Sequence, residues 1–535
     1  MATGLRVTTS NGHTELLKGL WEAAVRLRGS IEPADYKRYV LPIIFLRFLS
    51  LRYENRRAEL EELVADPKSD YHASDPKARQ SMLDDPDEYR SVGAFIVPVE
   101  ARWDTIVKAA RRDDFKTYLD DTLQKLEDTY PDKLRGLLPR IYAGSNLAVE
   151  DLRSLINVFS SDVFKQDHDG TDLIGRVYEY FIGEFANSEG KRGGEYFTPV
   201  SIVNTLVAML EPTEGTVFDP CCGSGGMFVQ SDIFTGHSHR LSFTGQESKD
   251  FTYRLARMNL FIHGIDGNIQ LGNSYTDDKH SGLRADYILA NPPFNDGAKS
   301  QEGWGAEKVS NKDPRLVLGK DRLGLSPRNA NTMWILHFVH HLKPQGTAGF
   351  VMATGELSTA ETARVQVRTA LIEAGMVDCI VQLSGQLFAN TQIPCALWFL
   401  SKNRSGGAGY RERRNQILFI DARQLGTLIP GSRKQKQLSA AEIERIASAY
   451  REFKRNGVPT EQPGFCRVAS TAEVRDERHV LAPGRYVGTS EEELDELPLA
   501  DRLGQLEGEL TRHVAEGRAL DEQILRSLRE VLSGL

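Results

Sequence analysis

Residues 217–228 read VFDPCCGSGGMF, an apolar run followed by an acid, a glycine-rich turn and a second apolar run. The pattern predicts a strand that ends at Asp219 and a helix that begins near Gly226. The glycines between them, Gly223 and Gly225, let a ligand approach the backbone beside Ser224, and the first turn of the helix has free N–H groups. Such a turn is typical of nucleotide-binding sites, but glycine also serves tight packing, so a cofactor site needs further support.

A second acid ends the next predicted strand. This acid is Glu247. Asp219 and Glu247 thus stand at equivalent points of two successive strand-to-helix units. In a doubly wound sheet, an acid at this place accepts hydrogen bonds from ribose hydroxyls. A solvated strand end is the alternative interpretation of Glu247, and the correspondence with Asp219 favours the cofactor role.

The third motif is Asn291-Pro292-Pro293-Phe294, which follows another apolar strand. The prolines fix the main chain and donate no N–H, so carbonyl oxygens stay available as acceptors. An exocyclic amine bonded to the Asn291 side-chain oxygen and the Pro292 carbonyl would direct its lone pair toward a nearby electrophile. Phe294 would stack on the attached ring. In isolation, the motif could equally be a rigid exit from a strand.

Strands alternate with helical stretches on both sides of these motifs. The candidate strands are Thr216–Phe218, Leu241–Thr244, Tyr287–Ala290, Gly349–Ala353, Val377–Leu383, Ala396–Leu400 and Gln416–Asp421. This alternation predicts an α/β fold with a parallel, doubly wound sheet. From Glu15 to about Tyr180 the apolar residues recur instead at spacings of three and four, which predicts an N-terminal helical domain.

The C-terminal tail, from Glu491 onward, is acidic and keeps apolar residues at helical spacing. It predicts an amphipathic helix whose apolar face needs a partner, either its own domain or another chain. Three glycines in the tail disfavour a free-standing helix. We therefore expect four parts: a helical domain over 1–180, a catalytic domain over 181–425, a mixed connecting region over 426–490 and a helical tail over 491–535.

Composition restricts the class of protein. With 40% hydrophobic and 26% charged residues, the 535-residue chain is globular rather than disordered or fibrous, and its net charge of -8 requires a local basic surface or a partner for nucleic-acid binding. The five cysteines are an odd number without C-x-x-C pairs, which indicates a reducing, cytoplasmic environment. The N-terminal residues 1–15 have no apolar core behind their single arginine, and Pro42 and Arg47 interrupt the most apolar stretch, so we expect neither a signal peptide nor a membrane span.

Two groups that could suggest metal or thiol chemistry have structural explanations. Cys221 and Cys222 fit small buried side chains better than nucleophiles or ligands. His337, His340 and His341 share a predicted helix, and we expect no metal there because the sequence offers them neither spacing partners nor carboxylates.

Together, the three motifs resemble those of S-adenosylmethionine-dependent DNA amino-methyltransferases. Further segments are similar to the modification (M) subunit of type I restriction-modification systems: Leu27–Ser30 with Tyr36–Pro42, Gly194–Pro199, and Asn329–Asn331 with its following helix. The similarity runs from about residue 13 to 420, and the tail matches only in character. The resemblance implies a site-specific adenine DNA-methyltransferase with a Rossmann-like sheet, an N-terminal helical domain and a C-terminal amphipathic helical tail.

The resemblance also assigns roles to residues. The methionine end of S-adenosylmethionine would be covered by Glu195, Tyr196, Phe197, Thr198 and Pro199. The segment from Asp219 to Gly223 leads into Ser224, Gly225 and Gly226, whose backbone would line the cofactor. Glu247 would hold the ribose. Asn273 falls where the family contacts the cofactor adenine. Asn291, Pro292, Pro293 and Phe294 would hold a flipped adenine, because its N6 amine is otherwise inside the duplex stack. No metal is implied, since the cofactor carries the activated methyl group.

The resemblance implies partners as well. After residue 421 we find no segment suited to contact base edges, so we expect double-stranded DNA to be selected by a separate specificity subunit. The family implies a second copy of this chain and, optionally, a restriction subunit, with the helical domain and the tail serving assembly. The basic residues of the 295–328 segment, including Lys308, Lys312 and Arg315, fit either phosphate contacts or a mobile solvated loop.

Three other functions remain open from the residues. Cytosine N4 or a protein glutamine presents similar hydrogen-bond geometry to Asn291, although Phe294 and the N-terminal segments favour adenine. A catalytically silent scaffold is disfavoured by the intact Asn291–Phe294 motif. A hydride-transfer dehydrogenase fits the glycine-rich turn alone, but gives that motif no role.

Overall fold

The computed structural model describes residues 11–26, 31–161, 164, 170–188, 198–297, 304–388, 393–407, 409–429, 432, 434–457, 461–489 and 499–533. In the first third, the described helices are α1 Asn11–Arg26, α2 Pro33–Ala65, α3 Pro76–Leu83, α4 Pro86–Arg90, α5 Trp103–Ala109, α6 Phe115–Thr129, α7 Pro131–Leu134, α8 Val149–Val158 and α9 Gly170–Ser188. The predicted helical character of this region is confirmed. Leu27–Ser30, a segment of the family resemblance, lies outside the described residues.

Helix α2 forms the centre of this helical region. Its 33 residues begin with Pro33 at the first turn, where a missing N–H costs nothing, and they continue through Pro42. The apolar stretch around Pro42 is buried inside the helical core. Trp21 of α1 packs edge-on against Phe181 of α9, with ring centroids 5.2 Å apart. The core therefore joins helices that are distant in the sequence.

The rest of the chain alternates strands and helices. The described elements are α10 Val200–Leu210, β1 Gly215–Asp219, α11 Gly226–Phe234, β2 Leu241–Glu247, α12 Asp250–Ile262, β3 Gly267–Leu271, β4 Ala285–Ala290, β5 Val317–Leu318, β6 Asp321–Arg322, α13 Asn331–His341, β7 Leu342–Ala353, α14 Thr362–Glu373, β8 Val377–Leu383, β9 Cys395–Ser401, β10 Ser405–Gly407, β11 Tyr410–Glu412, β12 Gln416–Ala422, β13 Thr427–Leu428, β14 Lys436–Gln437, α15 Ala440–Arg455, β15 Cys466–Ser470, α16 Thr471–Asp476 and α17 Leu499–Ser533. All seven candidate strands fall within these strands.

The main sheet has nine strands in the order β15-β12-β8-β9-β7-β4-β1-β2-β3. From β1 the chain proceeds outward to β2 and β3, then returns to β4 on the other side of β1, with all of these pairs parallel. The strand order thus reverses between β1 and β4. In open α/β sheets, ligands bind at the carboxyl ends of the strands beside such a reversal.

The prediction of a parallel sheet is wrong at two strands. Strand β9 lies between β7 and β8 and is antiparallel to both, and β15 is antiparallel to β12. The short connection from β8 to β9 returns the chain as a hairpin, whereas a parallel neighbour would need a crossover of a dozen residues or more. Strands β3 and β15 were not predicted, and the burial pattern of β3 shows why, because only its Ile269 is buried.

Both faces of the sheet are covered. Val217 of β1 belongs to a hydrophobic cluster with α10, α11 and α15, and the next residue, Phe218, belongs to a second cluster with α13 and α14. This alternation follows from the two-residue period of a strand. On its outer side, α12 contributes Leu255, Met258 and Ile262 to the core of the helical region. The helical region is therefore joined to the sheet through α12.

Helix α17 confirms the predicted tail helix, and the described residues of its own domain do not cover its apolar face. Its apolar stripe is between 46% and 65% exposed and consists of Leu503, Leu506, Leu510, Val514, Leu520 and Ile524. Residues 491–498 of the tail lie outside the described ranges. Within the described part of the chain, no helix combines the length and apolar character that crossing a bilayer requires.

Candidate active site

The glycine-rich turn lies at the carboxyl end of β1, as its sequence predicts. Gly223 and Gly225 have positive φ angles of 54° and 80°, a backbone conformation that glycine adopts without strain. The turn is tied to the neighbouring strand by a bond from the Cys222 N–H to the Gln246 carbonyl, 3.0 Å long. These contacts hold the turn open above the sheet, with α11 starting directly behind it.

The two predicted acids meet at this turn. Glu247 accepts the N–H of Gly223 at 3.1 Å through one oxygen and that of Lys249 at 2.9 Å through the other. Asp219 accepts the N–H of Cys221 at 3.0 Å, and it is only 2% exposed. Burial raises the pKa of Asp219 to about 7. Both carboxylates thus hold the glycine-rich turn by accepting its backbone N–H groups, Glu247 from the neighbouring strand β2 and Asp219 from the end of β1 itself.

Asn273 lies after β3 on the same edge of the sheet. Its side-chain oxygen accepts the N–H of Tyr275 at 2.9 Å, and the next residue, Ser274, donates its hydroxyl to the Pro220 carbonyl at 2.6 Å. These bonds connect the loop after β3 to the turn after β1. Asn273 therefore lines the same cavity as Glu247.

The Asn291–Phe294 motif follows β4, on the other side of β1. Asn291 is 9% exposed, and its Nδ2 donates to the Thr198 hydroxyl at 2.9 Å. Among the described residues, its Oδ1 is buried and has no hydrogen-bond partner. The Phe294 ring lies edge-on to Phe388, 6.0 Å away between centroids. The motif therefore presents an acceptor oxygen and an aromatic ring together.

Two cavities meet at these motifs. The first, of about 170 Å³, is lined by Glu247, Asn273 and Pro293, among others. The second, of about 180 Å³, is lined by Thr198, Asp219, Ser224 and Gly226. Their linings share three residues, Cys221, Gly223 and Asn291. The turn after β1 and the start of the Asn291–Phe294 motif thus lie at the junction of the cavities.

Some predicted site residues take other positions. Glu195, Tyr196 and Phe197 lie outside the described residues. Gly225 is absent from both linings, and its positive φ of 80° rather than a ligand explains the glycine, because a side-chain carbon there would meet no atom closer than 3.6 Å. The linings also lack three other members of the predicted set: Pro199, Pro292 and Phe294.

Sequence reasoning missed Asn259 and Glu179. Asn259 of α12 is 3% exposed and donates to the Ser224 carbonyl at 2.9 Å, while its Oδ1 has no partner among the described residues. Glu179 comes from α9 of the helical region, and both residues line the second cavity. Neither lies next to a motif, and an asparagine or glutamate on a helix gives no signal by itself.

The histidines of α13 require a correction, because a carboxylate does lie beside them. His341 contacts Asp278 Oδ2 and the Leu283 carbonyl, each at 3.0 Å, and His337 faces the same group. However, Arg315 donates to Nδ1 of His337 at 3.1 Å, which places a buried positive charge next to the cluster. Asp313 pairs with Arg315 at 2.7 Å and offsets this charge, but the bond from Arg315 occupies the Nδ1 lone pair of His337, so the absence of a metal stays our prediction.

Several described residues of the 295–328 segment pack against the core, which excludes a wholly solvated loop. Trp304 and Arg315 are buried, and Arg315 donates to the Ser274 and Tyr275 carbonyls, each at 2.7 Å. Lys308 and Lys312 are exposed. The thiols of Cys221 and Cys222 have pKa values raised well above the usual range by burial, which disfavours a thiolate nucleophile.

The chain is similar to known proteins. A model described as N-6 DNA Methylase matches residues 169–495, and one described as HsdM N-terminal domain matches residues 16–159. The type I restriction enzyme MjaIX methylase subunit of Methanocaldococcus jannaschii is 38% identical over 98% of this chain and 93% of its own length. The HindI methylase subunit of Haemophilus influenzae is 38% identical over 77% of this chain and 91% of its own length.

A solved structure supports the fold. The type I restriction-modification system methyltransferase subunit from Streptococcus thermophilus superposes with a TM-score of 0.72 at 24% identity, covering 89% of this chain and 99% of that one.

Proposed function

This chain belongs to the N-6 DNA methylase family and to the methylase subunits of type I restriction enzymes, and on that premise we propose how its residues serve adenine methylation. As the modification subunit of such a system, it transfers a methyl group to N6 of adenine in DNA. The assignments below concern the cofactor, the target amine and the partner subunits.

S-adenosylmethionine fits the two cavities by the chemistry of their linings. When bound, it supplies an activated methyl group on a sulfonium. Glu247 offers carboxylate oxygens to ribose hydroxyls beside the first cavity, where Asn273 also lies. The second cavity is lined by Thr198, Gly226 and Asn259, and Oδ1 of Asn259 has no partner among the described residues. Such an acceptor oxygen suits the ammonium group at the methionine end of the cofactor.

The observation that carries the proposal for the target base is Oδ1 of Asn291, which is buried and has no hydrogen-bond partner within the described ranges. A buried acceptor without a partner costs free energy, and an exocyclic amine that donates to it removes this cost. Because Thr198 holds the Nδ2 side, the acceptor side of the amide faces the substrate. With its N–H bonded to Asn291, the amine keeps its lone pair free for the methyl group of a cofactor bound in the adjoining cavities.

Base extrusion is part of this proposal. The N6 amine of a paired adenine is inaccessible to a site recessed between two strand ends, so the base must leave the stack, at a cost of a few kcal/mol. Phe294 offers its ring for stacking on the extruded base. The exposed Lys308 and Lys312 are candidates for phosphate contacts near that base.

We further propose that recognition of the DNA sequence resides in a separate specificity subunit. The exposed apolar stripe of α17 offers a surface for helix pairing, and the net charge of -8 argues against DNA binding by the whole surface of the chain. We also propose that the complex contains a second copy of this chain. A restriction subunit with nuclease activity joins it when the system cuts DNA. The division into four parts at residues 180, 425 and 490 stays a prediction.

The test of the site is Asn291→Ala, measured by tritiated methyl transfer from S-adenosylmethionine to unmodified DNA in the complex with the specificity subunit. We expect transfer to fall about 100-fold or more, because the amine loses its acceptor, while the cofactor Kd of the chain changes little. The matched control is Asn268→Ala on the exposed edge strand β3. Full transfer by the Asn291→Ala variant would refute the site assignment.

A further inference from the structure

Asn295 directly follows Phe294 and has a left-handed backbone, with φ of 54°. Few residues other than glycine adopt this conformation, and asparagine is among those that tolerate it best. It turns the chain immediately after the aromatic ring. Whatever holds Asn295 therefore also restricts where the Phe294 ring can lie.

Three hydrogen bonds hold Asn295. Its N–H donates to Oδ1 of Asn331 at 2.9 Å, and its side-chain Oδ1 accepts from Nδ2 of Asn331 at 3.1 Å and from Nδ2 of Asn329 at 2.9 Å. Asn331 is the first residue of α13 and is completely buried. An exposed loop residue is thus fastened to the rigid start of a helix.

Asn331 is itself oriented by a buried carboxylate. Its Nδ2 donates to Glu356 Oε2 at 3.0 Å, and Nε of Arg364 donates to the same oxygen, also at 3.0 Å. Glu356 is 1% exposed and lies just after β7, the neighbour of β4 in the sheet. A continuous series of polar contacts therefore runs from Arg364 through Glu356 and Asn331 to Asn295.

An amide is required at position 331 by this arrangement. Its oxygen accepts the Asn295 N–H, and its nitrogen donates to two oxygens, those of Asn295 and Glu356. An aspartate, or the reversed amide, would place an oxygen against both of these acceptors. Buried next to the Glu356 carboxylate, a second negative charge would be strongly unfavourable.

We propose that Asn331, oriented by Glu356, is a positioning residue that holds Phe294 where it stacks on the target adenine, a role that rests on the function proposed above. Asn331 and Glu356 line neither of the two cavities, so they act through Asn295 rather than on the cofactor. The network fixes the loop before the base arrives, which removes an ordering cost from the reactive complex.

The test uses Asn331→Asp in the complex with the specificity subunit. We expect the rate constant of methyl transfer, at saturating cofactor and DNA, to fall about 30-fold or more, since buried partners lose their hydrogen bonds. The Kd for S-adenosylmethionine, measured by calorimetry, should stay within about twofold, because the cavities are not touched. Asn268→Asp on exposed β3 makes the same chemical change and should have the wild-type rate.

Two further variants separate positioning from folding. In Glu356→Ala, Nδ2 of Asn331 loses its carboxylate acceptor, and we expect transfer to fall about tenfold while the Kd for the cofactor stays unchanged. In Asn295→Gly, glycine accepts φ of 54° and keeps its N–H donor but loses the side-chain acceptor. This variant should fold and bind cofactor normally while transferring about fivefold more slowly.

The outcomes are distinct. Wild-type rates in both Asn331→Asp and Asn295→Gly would overturn the positioning role, and so would a loss of cofactor affinity that matches the loss of rate. Wild-type transfer by Glu356→Ala would overturn the orientation of Asn331 by Glu356. An inactive wild-type complex would instead refute the proposed function itself.

Discussion

Asp219 is a buried carboxyl group without a cationic partner among its contacts, and its pKa is raised to about 7 by burial. In the unfolded chain it would titrate near its usual 3.8. Between these values the folded chain holds a proton that the unfolded chain has lost. The protonated Asp219 therefore contributes its full free energy of stabilisation below about pH 4, and this contribution is lost as the pH rises to about 7.

This predicts a pH-dependent effect of Asp219→Asn. An amide keeps the acceptor for the Cys221 N–H but has no proton to lose, so the variant avoids the cost of ionisation. We expect the stability of the cofactor-free variant, relative to wild type, to increase by about 2 to 3 kcal/mol between pH 5 and pH 8. Urea unfolding at the two pH values measures it, and a difference that does not change with pH would contradict the raised pKa.

Among the elements, β8 carries a buried charge cluster away from the active site. Asp378 is completely buried, and it pairs with Arg404 at 3.2 Å and with Arg413 at 2.8 Å, while Tyr450 donates its hydroxyl at 2.8 Å. Burial acts to raise the pKa of Asp378, but the two guanidinium groups outweigh it and hold the pKa below its usual value. The cluster connects β8, α15 and the segment after β9.

We expect removal of the Asp378 charge to cause a large loss of stability. Asp378→Asn leaves two buried guanidinium groups without a counter-charge, and we expect about 3 to 5 kcal/mol of lost stability at neutral pH. Asp104→Asn, at the exposed pair with Lys108, is the control and should unfold like wild type. Equal urea midpoints for the two variants would show that the cluster contributes nothing.

The stripe of α17 predicts a selective assembly defect. Leu506→Ser with Leu510→Ser places two hydroxyls on the exposed apolar face, so we expect the specificity subunit to be lost from the complex in size-exclusion chromatography. Cofactor binding by the variant chain should be unchanged. Arg512→Ala, on the opposite face of the helix, should assemble normally. An intact complex of the double variant would exclude this stripe as the interface.

For the whole molecule, the sequence was informative where one segment carries the signal. Asp219 and Glu247 each end a strand and Asn291 directly follows one, so the sequence predicts that all three lie at the carboxyl ends of the strands. The roles assigned to them stay predictions. The antiparallel β9 could not be predicted, because its apolar run is equally compatible with either direction.

Contacts between segments that are distant in the sequence could not be predicted from it. Asn331 belonged to a segment of the family resemblance, but its contact with Glu356 depends on the pairing of β4 with β7. The carboxylate beside His341 comes from Asp278, which no spacing rule connects to α13. Asn259 likewise reaches the glycine-rich turn only because α12 packs behind it.

The most direct measurement is tritiated methyl transfer to unmodified genomic DNA, by the chain alone and with its specificity subunit, followed by identification of the modified base. We predict N6-methyladenine only in the presence of the partner. N4-methylcytosine as the product, or methylation of one defined site by the chain alone, would contradict the account.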